Sequence, residues 1–318
     1  MARIAAIGEV MVELAPYPEA TNSEQEIMAL GFAGDTFNTA VYLSRSGAQT
    51  DYVTLLGDDP YSSQIIALAA SEGIGTHMIE TMPGRLPGMY MIRNSADGER
   101  EFYYWRKEAR ARELFAEKNH TERLTKQLMS CDYLYFSGIT LAIISEHSRE
   151  VLLDFVDKYR AQGGVFCFDI NYRPRLWDCQ KQAQTVMMEM MKHADVALLT
   201  LDDEHQLWGD GTIEATVSRY ATCGIHELIL KRGAKEVVAV VDGEEVHIPV
   251  PRVEGIVDTT GAGDSFNAGY VSARMQGHDY RTAVEHGVHV ASIVIRHRGA
   301  IVKQTKFDAE YLPLLDHK

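Results

Sequence analysis

A glycine-rich turn that ends in a carboxylate is the segment of this chain best equipped for chemistry. Residues 258–269 read DTTGAGDSFNAG, so that Gly261, Ala262 and Gly263 come directly before Asp264 and a helical pattern. Small residues allow a tight turn with free N–H groups at a helix N-terminus, where the helix dipole also attracts anions. Asp264 could then accept a proton from a hydroxyl while the neighbouring amides hold a phosphate. The alternative is an ordinary glycine-rich helix cap, but the length of the ordered string favours chemistry.

Phenols and a guanidinium form a second group, on two extended segments at 88–93 and 100–106. Tyr90 lies on the first segment, and Tyr104 and Arg106 share one face of the second by period-two alternation. Arginine can bind a carboxylate through two parallel hydrogen bonds. These side chains therefore suit a polyhydroxylated ligand that carries a carboxylate. The alternative is that the aromatic run only packs the structure or a subunit contact, which we favour for residues 103 and 105.

A third group follows two apolar strand patterns. The strand at 165–170 leads into Asn171 and Arg173, and the strand at 228–231 ends at Lys231 before a small-residue turn. In open α/β sheets, ligands bind beyond the carboxyl ends of the strands. We therefore expect Asn171 and Arg173 to reach a site. Lys231 is either a phosphate contact or a solvated charge at a strand end.

These residues must be positioned by short apolar strands that alternate with longer helical patterns. Such alternation predicts a mainly parallel sheet covered by helices. A TIM barrel is disfavoured because 85–108 interrupts the alternation with two extended segments, joined by a turn that contains the hairpin signal Asp97-Gly98. The predicted strands are 3–8, 51–56, 133–137, 165–170, 196–200, 227–231 and 237–241. The predicted helices are 36–47, 60–72, 121–130, 146–162, 180–193, 212–222, 264–276 and 279–297.

Composition narrows the class of protein and its partners. A chain of 318 residues with 46% apolar content can bury a large core. It has no apolar run of the roughly 18 to 20 residues that span a bilayer, and no signal-peptide pattern at its start. The net charge of −14 argues against nucleic acid and anionic membranes as partners. The cysteines form no CxxC pair, which favours buried thiols in a reducing cytoplasm: Cys131, Cys167, Cys179 and Cys223.

Two motifs resemble a known family. Residues 258–269 are similar, position by position, to the C-terminal signature of the ribokinase-like (PfkB) family of sugar kinases, and 34–40 looks like its N-terminal sugar-binding motif. The resemblance implies an α/β fold with a central, mainly parallel sheet flanked by helices and a small β-sheet lid. It also implies one kinase domain over 1–318, with a discontinuous lid at about 9–33 and 85–108.

The same resemblance implies roles for individual residues, with Asp264 as the catalytic base and the amides of residues 261–263 as an anion hole. The implied substrate contacts are Gly34, Asp35, Asn38, Tyr90, Tyr104, Arg106 and Arg173. The implied ATP contacts are Asn171, Lys231, Gly233, Ala234, Gly261 and Gly263. Two motifs depart from the family pattern: its Gly-Gly pair is Ala33-Gly34 here, and its Asn-x-x-Glu motif keeps only Glu204, which would contact the metal indirectly.

The implied cofactors are ATP and Mg²⁺, with a monovalent cation left open, and the implied assembly is a homo-oligomer formed through the lid. Residues 85–88, 103–106 and 171–177 look most like the 2-keto-3-deoxygluconate kinases within the family. We therefore expect phosphorylation of the terminal hydroxyl of 2-keto-3-deoxy-D-gluconate, in an Entner–Doudoroff-type route. The alternatives are a ribokinase, a fructokinase, another keto-deoxy sugar-acid kinase, or a non-catalytic sugar- or nucleotide-binding regulator. A dinucleotide-dependent oxidoreductase is disfavoured because only one glycine, Gly8, follows the first strand.

Overall fold

The strands of the protein form two separate sheets. The computed structural model describes residues 2–17, 26–94 and 100–315. The strands, numbered along the chain, are β1 (Arg3–Ile7), β2 (Met11–Pro16), β3 (Met28–Ala33), β4 (Gln49–Leu56), β5 (Ile79–Thr81), β6 (Met89–Asn94), β7 (Arg100–Trp105), β8 (Tyr133–Ser137), β9 (Val165–Asp169), β10 (Val196–Thr200), β11 (Glu227–Lys231), β12 (Glu236–Val241) and β13 (Glu244–Pro249).

The large sheet has nine strands in the order β13-β12-β11-β10-β9-β8-β1-β4-β5. Its pairs from β11 across to β5 are parallel, and β12 and β13 are added in antiparallel orientation. Strands of a parallel sheet are buried on both faces, which explains why β8, β9 and β10 read as nearly continuous apolar runs. The prediction of a mainly parallel sheet is confirmed.

Helices connect the parallel strands and cover both faces of the sheet. They are α1 (Asp35–Arg45), α2 (Pro60–Ser71), α3 (Lys118–Leu128), α4 (Gly138–Ile143), α5 (Glu146–Ala161), α6 (Gln180–Met191), α7 (Leu201–Trp208), α8 (Ile213–Tyr220), α9 (Ala262–Met275), α10 (Tyr280–Val294) and α11 (Gln304–Leu315). Every predicted strand and helix has a counterpart. Five elements were not predicted, because they are short or have no clear apolar periodicity: β5, β13, α4, α7 and α11.

Four strands form a second sheet, called here the small sheet, in the order β3-β2-β6-β7. It is assembled from two separate stretches of chain, since β2 pairs with β3 and with β6, and β6 pairs with β7. The predicted hairpin of β6 and β7 is confirmed by their antiparallel register, in which Tyr90 lies opposite Tyr104. The predicted turn at Asp97-Gly98 lies outside the described residues.

The apolar core is divided between the two faces of the large sheet. Along β1, Ile4 and Ala6 belong to one cluster of buried side chains, and Ala5 and Ile7 belong to the other. This division follows from the alternation of side chains along a strand. A third cluster includes Ala300 together with residues of the small sheet, so that sheet is attached through the segment that follows α10.

Two expectations from composition concern the described residues. Three of the four unpaired cysteines are buried, as predicted, but Cys179 is exposed. Across residues 2–17, 26–94 and 100–315, the helices include none that is both long and apolar enough to cross a membrane.

Candidate active site

The polar side chains singled out by the sequence gather at the carboxyl edge of the large sheet. Ser137, Asp169 and Lys231 are the last residues of β8, β9 and β11, which run parallel. The first turns of α1 and α9 face this edge, because Asp35 of α1 accepts a hydrogen bond from Ser137 and Asn267 of α9 accepts one from Lys231. This is the position at which α/β sheets bind ligands.

The glycine-rich turn is held rigidly ahead of α9. Gly261 has a φ of 75°, a left-handed conformation that favours glycine, and a Cβ at this position would lie 2.9 Å from the carbonyl oxygen of Ala300. The carboxylate of Asp258 accepts hydrogen bonds from the backbone N–H groups of Thr260, at 2.9 Å, and Gly299, at 2.7 Å. The turn is therefore tied to the segment after α10.

One detail of the turn differs from the expectation of three unpaired amides. The backbone N–H of Ala262 donates to the carbonyl oxygen of Thr259 at 3.2 Å. This hydrogen bond closes the turn itself. In the structure the Ala262 amide is thus paired within the chain and does not point outward as a free donor.

Asp264 lies in the first turn of α9 and is well suited to exchange a proton. Asn38 donates from Nδ2 to its Oδ2 at 2.8 Å. Burial raises the pKa of Asp264 to about 7, and the nearby negative charges of Asp35 and Asp169 act in the same direction. The Asn38 hydrogen bond and the positive charge of Lys231 oppose this shift. A carboxylate with a pKa near neutrality is suited to general base catalysis.

A buried hydrogen-bond network lies between Asp264 and the large sheet. The hydroxyl of Tyr135 accepts hydrogen bonds from Asn267 Nδ2, at 3.1 Å, and Thr39 Oγ1, at 3.3 Å, and donates to Asp169 Oδ2 at 3.4 Å. Lys231 Nζ donates to Asn267 Oδ1 at 2.7 Å. The network joins α1 and α9 to β8, β9 and β11, and it includes residues 39, 135 and 267, which the sequence analysis did not identify.

Asp35, the first residue of α1, is held by two donors from neighbouring strand ends. Ser137 Oγ donates to its carboxylate, and Asn171 Nδ2 donates to Oδ2 at 2.9 Å. Asn171 adopts a φ of 30°, a sparsely populated conformation that asparagine tolerates better than most residues. The structure thus brings a predicted substrate residue into direct contact with a predicted ATP residue. Burial raises the pKa of the adjacent Asp169 to about 6.

Arg173 is the outermost of the predicted site residues. Its side chain is half exposed, and Nη1 donates to the carbonyl oxygen of Tyr172, at 2.7 Å, and to Asp203 Oδ1, at 3.1 Å. Burial raises the pKa of Asp203, while Arg173 and Lys231 lower it. Asp203 therefore belongs to this cluster, although the sequence analysis selected its neighbour.

That neighbour, Glu204, has different partners. It is fully buried and accepts hydrogen bonds from Arg219 Nη1, at 2.8 Å, and from the hydroxyl of Tyr220, at 2.9 Å. These contacts tie α7 to α8. Among the described residues, Glu204 makes no hydrogen bond to another predicted site residue. Its indirect contact with a metal stays a prediction.

The aromatic and cationic residues of the small sheet converge beside α1. Tyr90 is buried, and its hydroxyl donates to Glu13, while its ring lies 5.7 Å from that of Tyr104. The guanidinium of Arg106 lies 5.7 Å from the centre of the Tyr104 ring and forms an ion pair with Glu9. Tyr104 and Arg106 therefore share a face, as predicted. The two glutamates were not identified from the sequence.

Close backbone packing explains the glycine of the N-terminal motif. A Cβ on Gly34 would lie only 2.1 Å from the carbonyl oxygen of Glu9. Gly34 also accepts a hydrogen bond from the backbone N–H of Asn38, at 2.7 Å, and donates to its side chain at 3.4 Å. This glycine thus helps to orient Asn38 toward Asp264. Gly233 and Ala234 lie in the exposed turn that follows β11, at the same edge of the sheet.

At the edge of the large sheet, Lys231 is a buried cation among several carboxylates. Lys231 Nζ lies 5.7 Å from the centre of the Phe266 ring, and a Cβ on Gly263 would lie 3.8 Å from it. This cation therefore stands beside the glycine-rich turn. Among the described residues, no group of three or more His, Cys, Asp or Glu side chains is arranged to hold a metal ion.

Comparison with known proteins agrees with this arrangement. Residues 1–306 match the family described as pfkB family carbohydrate kinase. A 2-dehydro-3-deoxygluconokinase from Escherichia coli K12 is 41% identical over 315 residues, which cover 96% of this chain and 99% of the relative. A 2-dehydro-3-deoxygluconokinase from Dickeya dadantii is 42% identical over 307 residues, with coverages of 94% and 96%.

Solved structures show the same fold. A 2-dehydro-3-deoxygluconokinase from Thermotoga maritima superposes with a TM-score of 0.78 at 21% identity, covering 97% of this chain and 99% of that one. A candidate ribokinase II from E. coli, in complex with ATP and Mg²⁺, gives a TM-score of 0.83 at 22% identity, with coverages of 98% and 100%. The fold is thus ribokinase-like, and the chain belongs to the pfkB family of carbohydrate kinases.

Proposed function

We propose that this protein transfers the γ-phosphoryl group of ATP to the terminal hydroxyl of 2-keto-3-deoxy-D-gluconate, which is also called 2-dehydro-3-deoxygluconate. The observation that carries the proposal is the placement of Asp264, with its pKa raised to about 7, on the first turn of α9 behind a glycine-rich turn. The full-length relatives named 2-dehydro-3-deoxygluconokinase support the choice of substrate.

In this proposal Asp264 is the general base. It accepts the proton of the terminal hydroxyl as that oxygen forms a bond to the γ-phosphorus and the bond from phosphorus to the ADP oxygen breaks. Asn38 orients Asp264 through its 2.8 Å hydrogen bond. The turn at Gly261, Ala262 and Gly263 faces the phosphoryl group at the positive end of the helix dipole.

The residues at this edge fit a nucleotide. Lys231 is a buried cation beside the turn and is oriented by Asn267 at 2.7 Å, so it can neutralise phosphate charge. We assign ATP contacts also to Asn171, Gly233 and Ala234 at the adjoining strand ends. When bound, Mg²⁺ neutralises the phosphates through their oxygens and through waters. A requirement for a monovalent cation stays a prediction.

A cleft between α10 and the segment that precedes the glycine-rich turn is large enough for the rest of the nucleotide. It has a volume of about 510 Å³ and lies between the segment that includes Ile248 and Val253 and the α10 residues Val288 and Ser292. This volume is typical of small-molecule sites. We propose that the adenosine part of ATP binds there, because the segment leads directly into residues 258–264.

We place the sugar acid between α1 and the small sheet. Gly34, Asp35 and Asn38 would contact its hydroxyl groups near Asp264, and Tyr90, Tyr104, Arg106 and Arg173 would contact the end that carries the carboxylate. The small sheet would then act as a lid that excludes water, so that ATP is not hydrolysed.

The outer face of the small sheet suits a contact between subunits. Leu30 on β3, and Tyr103 and Trp105 on β7, are 46%, 45% and 55% exposed, and exposed apolar surface of this kind commonly marks contacts between proteins. We propose a homo-oligomer formed through this sheet, and sedimentation velocity should show a species larger than the monomer. One kinase domain over 1–318 and a cytoplasmic location also stay predictions.

Steady-state kinetics test the proposed function. ADP production should depend on the sugar acid, and kcat/KM should be highest for 2-keto-3-deoxygluconate among keto-deoxy sugar acids, ribose and fructose. The phosphorus spectrum of the product should show a phosphate ester coupled to the terminal CH₂ group. A higher kcat/KM for ribose or fructose, or binding without turnover, would contradict the proposal.

A further inference from the structure

A buried ion pair joins the end of β1 to the small sheet, beside the proposed sugar-acid site. Glu9 follows β1, and Arg106 follows β7, 97 positions later in the chain. Arg106 Nη2 donates to Glu9 Oε2, and the two side chains are 8% and 1% exposed. The pair therefore connects the large sheet to the small sheet, between which the proposed sugar-acid site lies.

We propose that Glu9 is a positioning residue, which holds the guanidinium of Arg106 in the orientation that binds the carboxylate of the sugar acid. This inference rests on the proposed function. Glu9 occupies Nη2, and Nε of Arg106 is buried without a hydrogen-bond partner in the described part of the chain. Nε and Nη1 are therefore the nitrogens that remain for a ligand. Because the guanidinium is planar and rigid, fixing Nη2 also fixes the directions of Nε and Nη1.

Burial makes this orientation depend on Glu9. The N–H groups of a buried guanidinium need a well-placed hydrogen-bond acceptor, and without one the side chain turns toward water. The Tyr104 ring, 5.7 Å from the guanidinium, supports one face but supplies no hydrogen bond. The other charged groups that act on Glu9 are Asp35 and Arg112. Glu9 is the group that bonds Arg106 directly.

Two glycines fit the backbone closely around this pair. A Cβ on Gly88 would lie 2.8 Å from Glu9 Oε1 and 3.1 Å from the Cβ of Arg106. A Cβ on Gly34 would lie 2.1 Å from the carbonyl oxygen of Glu9. Larger residues at 34 or 88 would displace Glu9. The backbone therefore packs closely around the ion pair and restricts the movement of both side chains.

The pairing also changes how the site would select a carboxylate. Glu9 cancels the formal charge of Arg106, and Asp203 does the same for Arg173 through its 3.1 Å hydrogen bond. Neither arginine presents an isolated positive charge. Selectivity for the acid then depends on the direction of the remaining N–H donors, which is the property that Glu9 controls.

The test measures KM for two substrates in a series of variants. The substrates are 2-keto-3-deoxygluconate and the 3-deoxyhexulose in which a hydroxymethyl group replaces the C1 carboxylate. Glu9→Ala should raise KM for the acid by about 10- to 100-fold, the effect of a misplaced charged hydrogen bond, with a smaller change in kcat. KM for the neutral analogue should change less than about threefold.

Two conservative variants separate geometry from charge. Glu9→Gln retains the length and an acceptor for Nη2, so its ratio of KM values should stay within about fivefold of wild type. Glu9→Asp retains the charge but is one methylene shorter, so it should lose selectivity for the acid. Both variants keep a polar side chain at position 9 and remain informative if Glu9→Ala does not fold.

A double-mutant cycle tests whether Glu9 acts through Arg106. In the background of Arg106→Ala, the further change Glu9→Ala should add little to the loss of selectivity. A matched control is Glu72→Ala, which breaks the buried Arg45–Glu72 pair elsewhere in the molecule. That variant should lower the melting temperature without changing the ratio of KM values.

Three results would overturn the inference: equal effects of Glu9→Ala on both substrates, no effect on either, or a full additional effect in the Arg106→Ala background. Failure of the wild-type protein to phosphorylate the sugar acid would instead contradict the proposed function. The two failures are therefore distinguishable.

Discussion

Two carboxylates in this molecule have similarly raised pKa values but different surroundings. Burial raises the pKa of both Asp264 and Glu204 to about 7. Glu204 is fully buried and bonded to a cation and a phenol, Arg219 and Tyr220. Asp264 is partly accessible and accepts a hydrogen bond from the neutral Asn38. A raised pKa alone does not identify a base, because the group must also be accessible to a ligand.

Among the predictions, the largest expected effect is the difference in kcat between substitution of Asp264 and substitution of Glu204. Asp264→Asn should lower kcat by at least about 10² to 10⁴, the usual contribution of a positioned general base. Binding of a fluorescent ATP analogue should remain measurable, because the glycine-rich turn is kept. The matched variant Glu204→Gln should lower kcat far less than Asp264→Asn does. Turnover near the wild-type level in Asp264→Asn would exclude this residue as the base.

Substitution near Glu204 should affect stability rather than turnover. Arg219→Ala leaves the Glu204 carboxylate buried without its cation and should lower the free energy of unfolding by about 3 kcal/mol. Denaturant unfolding measures the change, while kcat below the transition should stay near wild type. As a control, Lys158→Ala removes an exposed ion pair with Asp154 and should cost under about 1 kcal/mol. Equal decreases in the free energy of unfolding would show that the buried ion pair contributes no more to stability than the exposed one.

The neutral donor to Asp264 should control the pH dependence of the reaction. The Asn38 hydrogen bond lowers the pKa of Asp264, so Asn38→Ala should move the acidic limb of the kcat profile to higher pH. At pH 7 and saturating substrates, kcat should fall roughly threefold, because the loss of about 1 kcal/mol of hydrogen bonding raises the pKa by about 0.7 and lowers the ionised fraction. It should recover toward pH 9, where the base is ionised. A uniform loss at all pH values would indicate a different role for Asn38.

The smallest expected effect is a gain in stability when the base is removed. Because its pKa in the folded protein lies above the ordinary value of 3.8, Asp264 contributes stability below about pH 4 that is lost as the pH rises through about 7. Asp264→Asn removes this titration. Its melting temperature should exceed that of wild type by roughly 2 °C or more at pH 8, and the difference should shrink toward pH 5. The same difference at both pH values would contradict the assigned ionisation.

The main elements of the fold could be predicted because their local patterns are strong. Strands such as β9 and β10 are continuous apolar runs, and α9 and α10 follow clear starting signals. The elements that were not predicted lack such clear apolar patterns and starting signals. The segment of α4, GITLAI, reads as a continuation of β8, and the polar segment of β13, EEVHIP, has little apolar content.

The site was predictable where its residues are neighbours in sequence and obscure where the fold brings distant residues together. The turn before Asp264 could be recognised directly. Glu9 and Arg106 are 97 positions apart, and Asn38 and Asp264 are 226 apart, so no local pattern relates them. The choice of Glu204 over Asp203 illustrates the same limit, since adjacent residues of a helix point in different directions.

The chain crosses between the large and small sheets four times, after β1, after β3, before β6 and after β7. The small sheet therefore has no single hinge, and any rotation must be absorbed by four connections at once. Three of these connections contain a glycine whose added Cβ would collide with a neighbour at 2.1 to 2.8 Å: Gly8, Gly34 and Gly88. An extra methyl group at one of these positions would displace its connection, which makes the three positions sensitive to mutation although none of them supplies a side chain to the reaction.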